Sequence, residues 1–172
     1  VFVLRDISER KAAEERIKYL SFHDRLTDLF SRDYFEEEIR RFDTPRGLPL
    51  SLVMGDVNGL KLVNDVFGHQ EGDTLLRKIA DALKGACRKE DMVARWGGDE
   101  FVVLLPKTTE TLAMEFSKRV RKLCTETDGT PIQPSIALGI ATKEDPTQDF
   151  RDVLKNAEDR MYRNKLMDRK ST

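Results

Sequence analysis

One run of apolar residues, Leu50 to Val57, constrains the fold of this chain more than any other feature. The run is mostly apolar rather than strictly alternating, which is the pattern of a strand buried on both faces. Such a strand needs a covering layer on each side, and those layers are usually helices. The run therefore predicts an α/β domain built around one central sheet.

The segments around this run follow an order typical of such a domain. Val1 to Leu4 is predicted as a strand fragment, and the charged segment from Asp6 to Leu20 as a helix. Further helices are expected after Ser31, over 60–67, over 73–87, around 112–123 and around 153–161. Strand-like runs cover 92–96, 100–105 and 134–142, and the first two form a hairpin around Gly97-Gly98-Asp99. The pattern predicts at least four strands and leaves their order open.

Composition narrows the class of function. The chain has 172 residues, and its 30 Lys and Arg balance 31 Asp and Glu to a net charge of −1. This balance argues against nucleic acid as a partner. No apolar run approaches the roughly 20 residues that cross a bilayer, and two cysteines are too few for a disulfide scaffold. We expect a cytoplasmic domain without a membrane segment, and the sequence leaves open whether a longer parent protein is membrane-anchored.

The end of the central run carries the first candidate site. Asp56 ends a buried apolar strand, where a carboxylate is costly unless it is paired or bound to a cation. The backbone then leads through Gly59 into a helix N-terminus, which suits phosphate oxygens, and Lys61 adds a positive charge. The alternative is that Asp56 only caps the following helix.

The hairpin turn carries the second candidate site. Asp99 and Glu100 follow Gly97-Gly98 and lead into an apolar strand. Strict alternation would place these two acids on opposite faces of the sheet. If the hairpin lies beside the central strand, Asp99 and Asp56 converge. Two carboxylates, backbone oxygens and substrate phosphates are typical Mg²⁺ ligands, so the sequence predicts a site for metal-dependent phosphoryl or nucleotidyl transfer.

These residues also resemble a known family. Residues 97–101 spell the motif that names the GGDEF family, and further matching segments stand in register at 23–27, 56–61, 64–65, 67–69 and 72–73. From about Ser21 to the end, the chain resembles a GGDEF-type diguanylate cyclase. Residues 5–11 resemble the exit of a PAS sensor domain joined to a signalling helix. The expected organisation is a sensor end and linker helix over 1–20, followed by the cyclase domain over 21–172.

The resemblance implies a fold and a reaction. The fold would be a central, mostly antiparallel five-stranded sheet wrapped by helices, similar to nucleotide cyclases and polymerase palms. The reaction would condense two GTP molecules into cyclic di-GMP and two pyrophosphates. Asp56, the Val57 carbonyl and Asp99 would hold two Mg²⁺ or Mn²⁺ ions at each half-site. Asp99 or Glu100 would be the catalytic acid/base, and the sequence does not decide between them.

The resemblance also implies substrate-binding residues. Asn64 and Asp73 would read guanine, and Gly98 would be small because the nucleotide lies against the turn. Cations at three positions would neutralise the triphosphate: Lys61, Lys165 and Arg169. The alternatives are that Asp73 is an N-cap after Gly72, and that the last two cations form a solvated helix face.

Two further expectations concern regulation. Arg88 and Asp91 match an inhibitory product site for cyclic di-GMP, although their charge alone fits a solvated turn. Two identical half-products imply a two-fold homodimer of half-sites, which the helix of residues 6–20 would bring together. The competing hypotheses are a silent module that binds GTP or cyclic di-GMP, and an interaction domain built on that helix.

The chain departs from the family pattern at four positions. Asn58 and Leu60 replace a common acid and phenylalanine after Asp56, and Asn58 is not expected to bind metal. Asp28 and Ser31 replace a common glycine and asparagine in the entry motif, where a structural role is expected.

Overall fold

The computed structural model of the chain describes residues 2–168. Within that range the helices are α1 Phe2–Phe22, α2 Arg32–Phe42, α3 Leu60–Phe67, α4 His69–Ala86, α5 Glu110–Thr125 and α6 Phe150–Asp168, with a short 3₁₀ turn at Pro45–Gly47. The strands are β1 Phe30–Ser31, β2 Leu50–Val57, β3 Met92–Arg95, β4 Glu100–Leu105 and β5 Ile136–Lys143. None of the described helices is long and apolar enough to span a membrane.

The five strands form one sheet in the order β1-β3-β4-β2-β5. β1 pairs with β3 in parallel, and the other three pairings are antiparallel. β2 lies between β4 and β5 and is buried along its whole length. The mostly antiparallel five-stranded sheet is confirmed, as is the prediction that Leu50–Val57 is buried on both faces.

Alternation along the strands divides the core into two layers. One face of the sheet carries Val53, Val57 and Phe101 and packs against α4 and α5. The opposite face carries Leu52 and Met54 and packs against α2 and α6. Asp56, two residues after Met54, therefore points to the face that α6 covers.

A glycine in β5 sets the distance between α6 and the sheet. A Cβ atom on Gly139 would lie 2.1 Å from both the Ala157 carbonyl oxygen and the Met161 amide nitrogen. No side chain fits in that gap, so the backbone of α6 rests directly on β5. This close approach fixes the position of the whole helix, including its C-terminal half.

Two predicted boundaries were wrong. Phe2 to Leu4 are helical rather than a strand fragment; ion pairs four residues apart, between Arg5 and Glu9 and between Arg10 and Glu14, stabilise this helix. Val1 lies outside the described residues.

Helix α4 begins at His69, four residues before the predicted start. The reason is Gly68, whose φ of 91° ends α3 and allows α4 to begin immediately.

The loop between α1 and α2, called the entry loop below, holds two of the departures from the family pattern, Asp28 and Ser31. Contacts within the loop and with α1 explain both. Ser31 is the N-cap of α2 and accepts a hydrogen bond from the Tyr34 amide, which confirms a structural role. Asp28 has φ 58°, a left-handed conformation that glycine adopts more easily and that aspartate tolerates. Its carboxylate accepts a hydrogen bond of 2.5 Å from the Tyr19 hydroxyl. Asp28 thereby connects the end of α1 to the domain.

Candidate active site

The register of the central strands brings two acids together. β2 and β4 are antiparallel, and Asp56 pairs directly with Glu100. Residues directly opposite each other in such a pair have side chains on the same face. Both carboxylates therefore lie on the face covered by α6, at the end of the sheet where β2 finishes.

Helix α6 supplies a cation to this pair. Lys165 donates a short hydrogen bond to Asp56 Oδ1, and both side chains are largely buried. Only 8% of the surface of Asp56 is exposed to solvent. A buried carboxylate at a strand end must be paired, and Lys165 meets that requirement. Lys165 is thus placed at the site by the contact between α6 and β5.

One lysine does not balance the negative charge here. Burial raises the pKa of Glu100, and the nearby carboxylates of Asp56, Asp99 and Glu158 raise it further. The ammonium group of Lys165 acts in the opposite direction without cancelling the rise. Burial alone would raise this pKa, but the acids at 56, 99, 100 and 158 also outnumber the one lysine, and a bound cation would relieve the repulsion among them.

Asp99 lies in the turn that precedes β4. Its carbonyl oxygen accepts a 2.9 Å hydrogen bond from the Val57 amide, so this turn is joined to the end of β2. Because β4 begins at Glu100, strand alternation does not determine where the Asp99 side chain points. The Val57 carbonyl and the acids at 56, 99 and 100 are brought to one end of the sheet.

The two glycines of the turn differ in their surroundings. A Cβ on Gly97 would lie 3.1 Å from Glu100 Oε2, so neighbouring protein atoms already favour glycine there. A Cβ on Gly98 would have no described protein atom within 4 Å, and the φ of this residue is not left-handed. The fold itself does not require glycine at position 98.

An arginine that sequence reasoning missed holds this turn in place. Arg95 donates from Nη2 to the Gly98 carbonyl at 2.7 Å and from Nε to the Gly97 carbonyl at 3.1 Å. Its Nη1 also contacts both carboxylate oxygens of Asp24, at 3.2 and 3.3 Å. Arg95 stands two residues before the glycines, and its spacing from Asp24 gave no signal in the sequence.

Thr27, in the entry loop, orients the Asp24 carboxylate for this contact. Burial opposes its ionisation, yet hydrogen bonds from the Thr27 hydroxyl and amide, together with the charge of Arg95, outweigh that effect and lower the pKa of Asp24. Asp24 therefore accepts from Arg95 as a carboxylate. The loop that follows α1 is in this way connected to the turn that carries Asp99.

The predicted guanine-reading residues lie on two packed helices. Asn64 is on α3, and its side chain fills the space above Gly72 on α4, where a Cβ would lie 1.8 Å from Asn64 Oδ1. Asp73 follows Gly72 inside α4, so the alternative that it is an N-cap is wrong. Lys61 is exposed on the first turn of α3. Arg169 lies outside the described residues.

Two departures from the family pattern have structural explanations. Asn58 is hydrogen-bonded to the segment before β5. Its backbone amide donates to the Ser135 carbonyl, and its side-chain Nδ2 donates to the Ser135 hydroxyl. Leu60 is partly buried against the core. Asn58 is thus joined to the segment before β5, and Leu60 contributes to the core.

The predicted product-site residues form a closed turn at the C-terminal end of α4. The Arg88 amide donates to Asp91 Oδ2 at 2.6 Å, and the Asp91 amide donates to the Arg88 carbonyl at 3.2 Å. Burial raises the pKa of Asp91 despite the hydrogen bond from Arg88 and the charge of Arg119. Arg88 on the turn and Arg119 on α5 thus both act on the Asp91 carboxylate, and the Arg88 side chain is exposed.

The donor set fits a hard divalent cation. Carboxylates, a backbone carbonyl and substrate phosphates are the oxygen ligands that Mg²⁺ and Mn²⁺ prefer, and the site has an excess of negative charge. Among the described residues, no three His, Cys, Asp or Glu side chains group closely enough to hold a metal by themselves. A metal held here would therefore need further oxygen ligands to complete its coordination.

Comparison with known proteins gives consistent matches. Residues 21–171 match the family model described as diguanylate cyclase, GGDEF domain. The diguanylate cyclase DgcM of Escherichia coli K12 is 32% identical over 168 residues, which are 95% of this chain and 40% of DgcM. The chain therefore spans about two fifths of the length of this curated relative.

Solved structures agree with the fold. Diguanylate cyclase SiaD of Pseudomonas aeruginosa, in complex with its activator SiaC, superposes with a TM-score of 0.79 at 29% identity, covering 95% of this chain and 67% of SiaD. The coiled coil and GGDEF domain of DgcB from Caulobacter crescentus, in complex with c-di-GMP, gives a TM-score of 0.85 at 21% identity, covering 95% and 90%. At that identity, the second likeness shows the fold alone.

Proposed function

Because the chain belongs to the GGDEF family of diguanylate cyclase domains, we propose that it condenses two GTP molecules into cyclic di-GMP and two pyrophosphates. The observation that carries this proposal is the excess of carboxylates at the shared end of β2 and β4. A silent binding module would have no use for a cluster that raises the pKa of one of its own acids.

The acids have separable roles in this proposal. Asp56, the Val57 carbonyl and Asp99 would hold two Mg²⁺ or Mn²⁺ ions at each half-site. Bound there, the ions polarise the α-phosphate and lower the pKa of the attacking 3′-hydroxyl. Glu100 is the better candidate for the acid/base, because its raised pKa brings its titration closer to neutral pH.

Two lysines would bind the triphosphate. Lys165 already neutralises Asp56, so it lies within reach of phosphates bound to the same ions. Lys61, on the first turn of α3, adds a second positive charge beside a helix N-terminus. Gly98 supports binding of the nucleotide at this turn. The fold gives no reason for glycine at position 98, whereas a nucleotide lying against the turn would leave no room for a side chain.

Guanine selection would come from α3 and α4. One carboxylate of Asp73 can accept hydrogen bonds from both N1–H and the 2-amino group of guanine, whereas adenine has neither donor. Asn64, held against Gly72, would contact the same base. This pairing favours GTP over ATP.

Catalysis would require two copies of the chain. Each copy has one guanine site and one cluster of acids, and the product has two identical halves. Two half-sites related by a two-fold axis would place each 3′-hydroxyl at the other α-phosphate. We propose that residues 1–20 are the end of an upstream sensor and a linker helix, that this helix brings the copies together, and that the cyclase domain follows over 21–172.

The decisive experiment incubates the protein with GTP and Mg²⁺ and measures cyclic di-GMP by chromatography. We expect product from the wild type and from Asp81→Asn, which alters an exposed acid on α4, but none from Asp99→Asn. Equal GTP binding without product in all three proteins would establish the silent module. Turnover per chain that does not increase with protein concentration would contradict the dimer requirement.

Product inhibition is tested separately at the closed turn of Arg88 and Asp91. Cyclic di-GMP carries two phosphates and two guanines, and the exposed Arg88 side chain can donate to both kinds of group. Titrating cyclic di-GMP should inhibit the wild type and leave Arg88→Ala active. Inhibition of Arg88→Ala equal to that of the wild type would contradict this site without affecting the proposed reaction.

A further inference from the structure

A groove of about 450 Å³ runs between α5 and α6, along the edge strand β5. Leu138 and Ile140 form its floor, while Met114 on α5 and Met167 on α6 line its sides with 47% and 66% of their surface exposed. The groove is separate from the cluster around Asp56. Its apolar lining is therefore not explained by the proposed reaction.

Two carbonyls of β5 along this groove already accept hydrogen bonds from α6. Asn164 donates to the Leu138 carbonyl and Arg160 to the Ile140 carbonyl, both at 2.7 Å. Addition of a strand requires such groups to be open. An occupant of this groove would consequently be held by side chains rather than by the β5 backbone.

The side walls of the groove carry an excess of positive charge. Lys118 and Arg160 are paired with Glu115 and Glu110. Arg121 on α5 also lines the groove, as does Arg163 on α6, and neither has a partner among residues 2–168. One unpaired guanidinium thus stands on each wall, with apolar surface between the two.

We propose that this groove docks an acidic amphipathic helix from a partner protein. Apolar side chains on one face of such a helix would pack on Ile140 and the two methionines, above the buried Leu138. Carboxylates on its flanks would pair with Arg121 and Arg163. An amphipathic helix laid in a groove is a recurring mode of peptide recognition, and charge complementarity gives it specificity.

Other occupants fit the groove less well. A second copy meeting this face through a two-fold axis would place the same unpaired arginines opposite each other. A bilayer is broad and flat, whereas the apolar floor at Leu138 and Ile140 lies recessed between two helices. The bound helix would also contact α6, the element that carries Lys165 to Asp56.

The test uses a fluorescent probe peptide of about four helical turns, with leucines on one face and glutamates on the flanks. A matched peptide has lysines in place of the glutamates. Fluorescence anisotropy with the full chain should show binding of the acidic peptide alone, and binding should weaken as NaCl is added. Absence of binding by the acidic peptide, or equal binding of both peptides, would overturn the proposal.

Charge reversal locates the site. Arg121→Glu/Arg163→Glu should weaken binding of the acidic peptide by at least about tenfold. Arg77→Glu/Lys155→Glu, which makes the same change in net charge at two other exposed cations on α4 and α6, should leave binding unchanged. Equal weakening in both double variants would show nonspecific attraction and overturn the proposal.

The same variants test the other occupants. Sedimentation with phosphatidylserine vesicles and size-exclusion chromatography should give identical results for the wild type and Arg121→Glu/Arg163→Glu. A specific loss of vesicle binding or of self-association in that variant would assign the groove to a membrane or to a second copy, and would overturn the peptide proposal. Circular dichroism of each variant verifies that it is folded.

Discussion

Two largely buried ion pairs, each between a lysine and an aspartate, lie at opposite ends of the paired strands β2 and β5. At one end, where Leu50 pairs with Lys143, the Lys143 ammonium contacts Asp43 Oδ1 at 2.5 Å. At the other end, next to Val57, Lys165 contacts Asp56. Each pair joins a helix or its cap to the sheet, so their difference must come from what surrounds them.

The surroundings act on nearby carboxyls in opposite directions. Near Lys143, hydrogen bonds from Thr147 lower the pKa of Asp145, and the Lys143 charge contributes in the same sense. Near Lys165, burial and neighbouring acids raise the pKa of Glu100. The end of the sheet at Lys143, which we call the balanced end, therefore favours the ionised form of a neighbouring carboxyl, whereas the end at Lys165 disfavours it. We therefore expect chemistry at the Lys165 end and a structural role for the pair at the Lys143 end.

The largest effect should come from breaking the cation site. If Asp56 holds the metal as proposed, Asp56→Asn removes several kcal/mol of transition-state stabilisation, and cyclic di-GMP production should fall by about a thousandfold. Asp43→Asn is the matched change at the balanced end. Because Asp43 lies far from the acids around Asp56, each folded molecule of this variant should turn over GTP as fast as the wild type. Chromatographic assays of both variants, normalised to the folded fraction, provide the comparison. Equal losses would show that both ends contribute to catalysis.

The next effect should appear in stability at the balanced end. Lys143→Met leaves the Asp43 carboxylate without its partner; since that carboxylate is partly solvated, the loss should be up to about 3 kcal/mol, the lower figure for breaking a buried pair. Urea denaturation followed by circular dichroism measures this loss. The double variant Asp43→Leu/Lys143→Met should recover much of it, because the unpaired charge is gone. A double variant as unstable as the single one would show that Lys143 acts through packing of its chain instead.

The sequence predicted local structure better than it predicted contacts between distant segments. The apolar run of β2 and the Gly-Gly hairpin revealed their structure locally, because burial and turn formation depend on neighbouring residues. The pairing of Asp56 with Glu100, by contrast, depends on a strand register that no local pattern specifies.

Long-range contacts account for what was missed. The two-residue strand β1 is too short to show any periodicity. Arg95 and Asp24 are 71 residues apart, so their contact follows from the fold alone. Lys165 was placed at the site by resemblance, whereas its contact with Asp56 requires α6 to rest on Gly139. These are properties of packing between elements, which a single sequence does not display.

A pH titration should sharpen the comparison further. If Glu100 accepts the proton, cyclic di-GMP production should rise with pH through the raised pKa of this residue. Stability should change in the opposite direction. Because the folded protein holds the Glu100 proton more tightly than the unfolded chain, stability falls as pH rises from the unfolded pKa through the folded one.

Glu100→Gln separates these two effects. The variant should lose the rise in activity and melt at a higher temperature than the wild type above that pH range, with no difference below it. Melting curves at several pH values, without divalent ions, provide the measurement. A wild type whose stability rises with pH relative to Glu100→Gln would mean that Lys165, rather than the surrounding acids, dominates the environment of Glu100.

The smallest effect concerns a buried polar group that has no partner. The Ser117 hydroxyl on α5 is buried and makes no hydrogen bond among the described residues, whereas the buried Ser51 hydroxyl bonds both the Thr108 carbonyl and the Thr142 hydroxyl at 2.7 Å. Ser117→Ala should therefore stabilise the protein by up to about 1 kcal/mol, and Ser51→Ala should destabilise it by about 1–2 kcal/mol. Urea denaturation of the two variants provides the test. A loss of stability in Ser117→Ala would show that its hydroxyl is satisfied in solution, so that the contrast between paired and unpaired buried groups would not extend to α5.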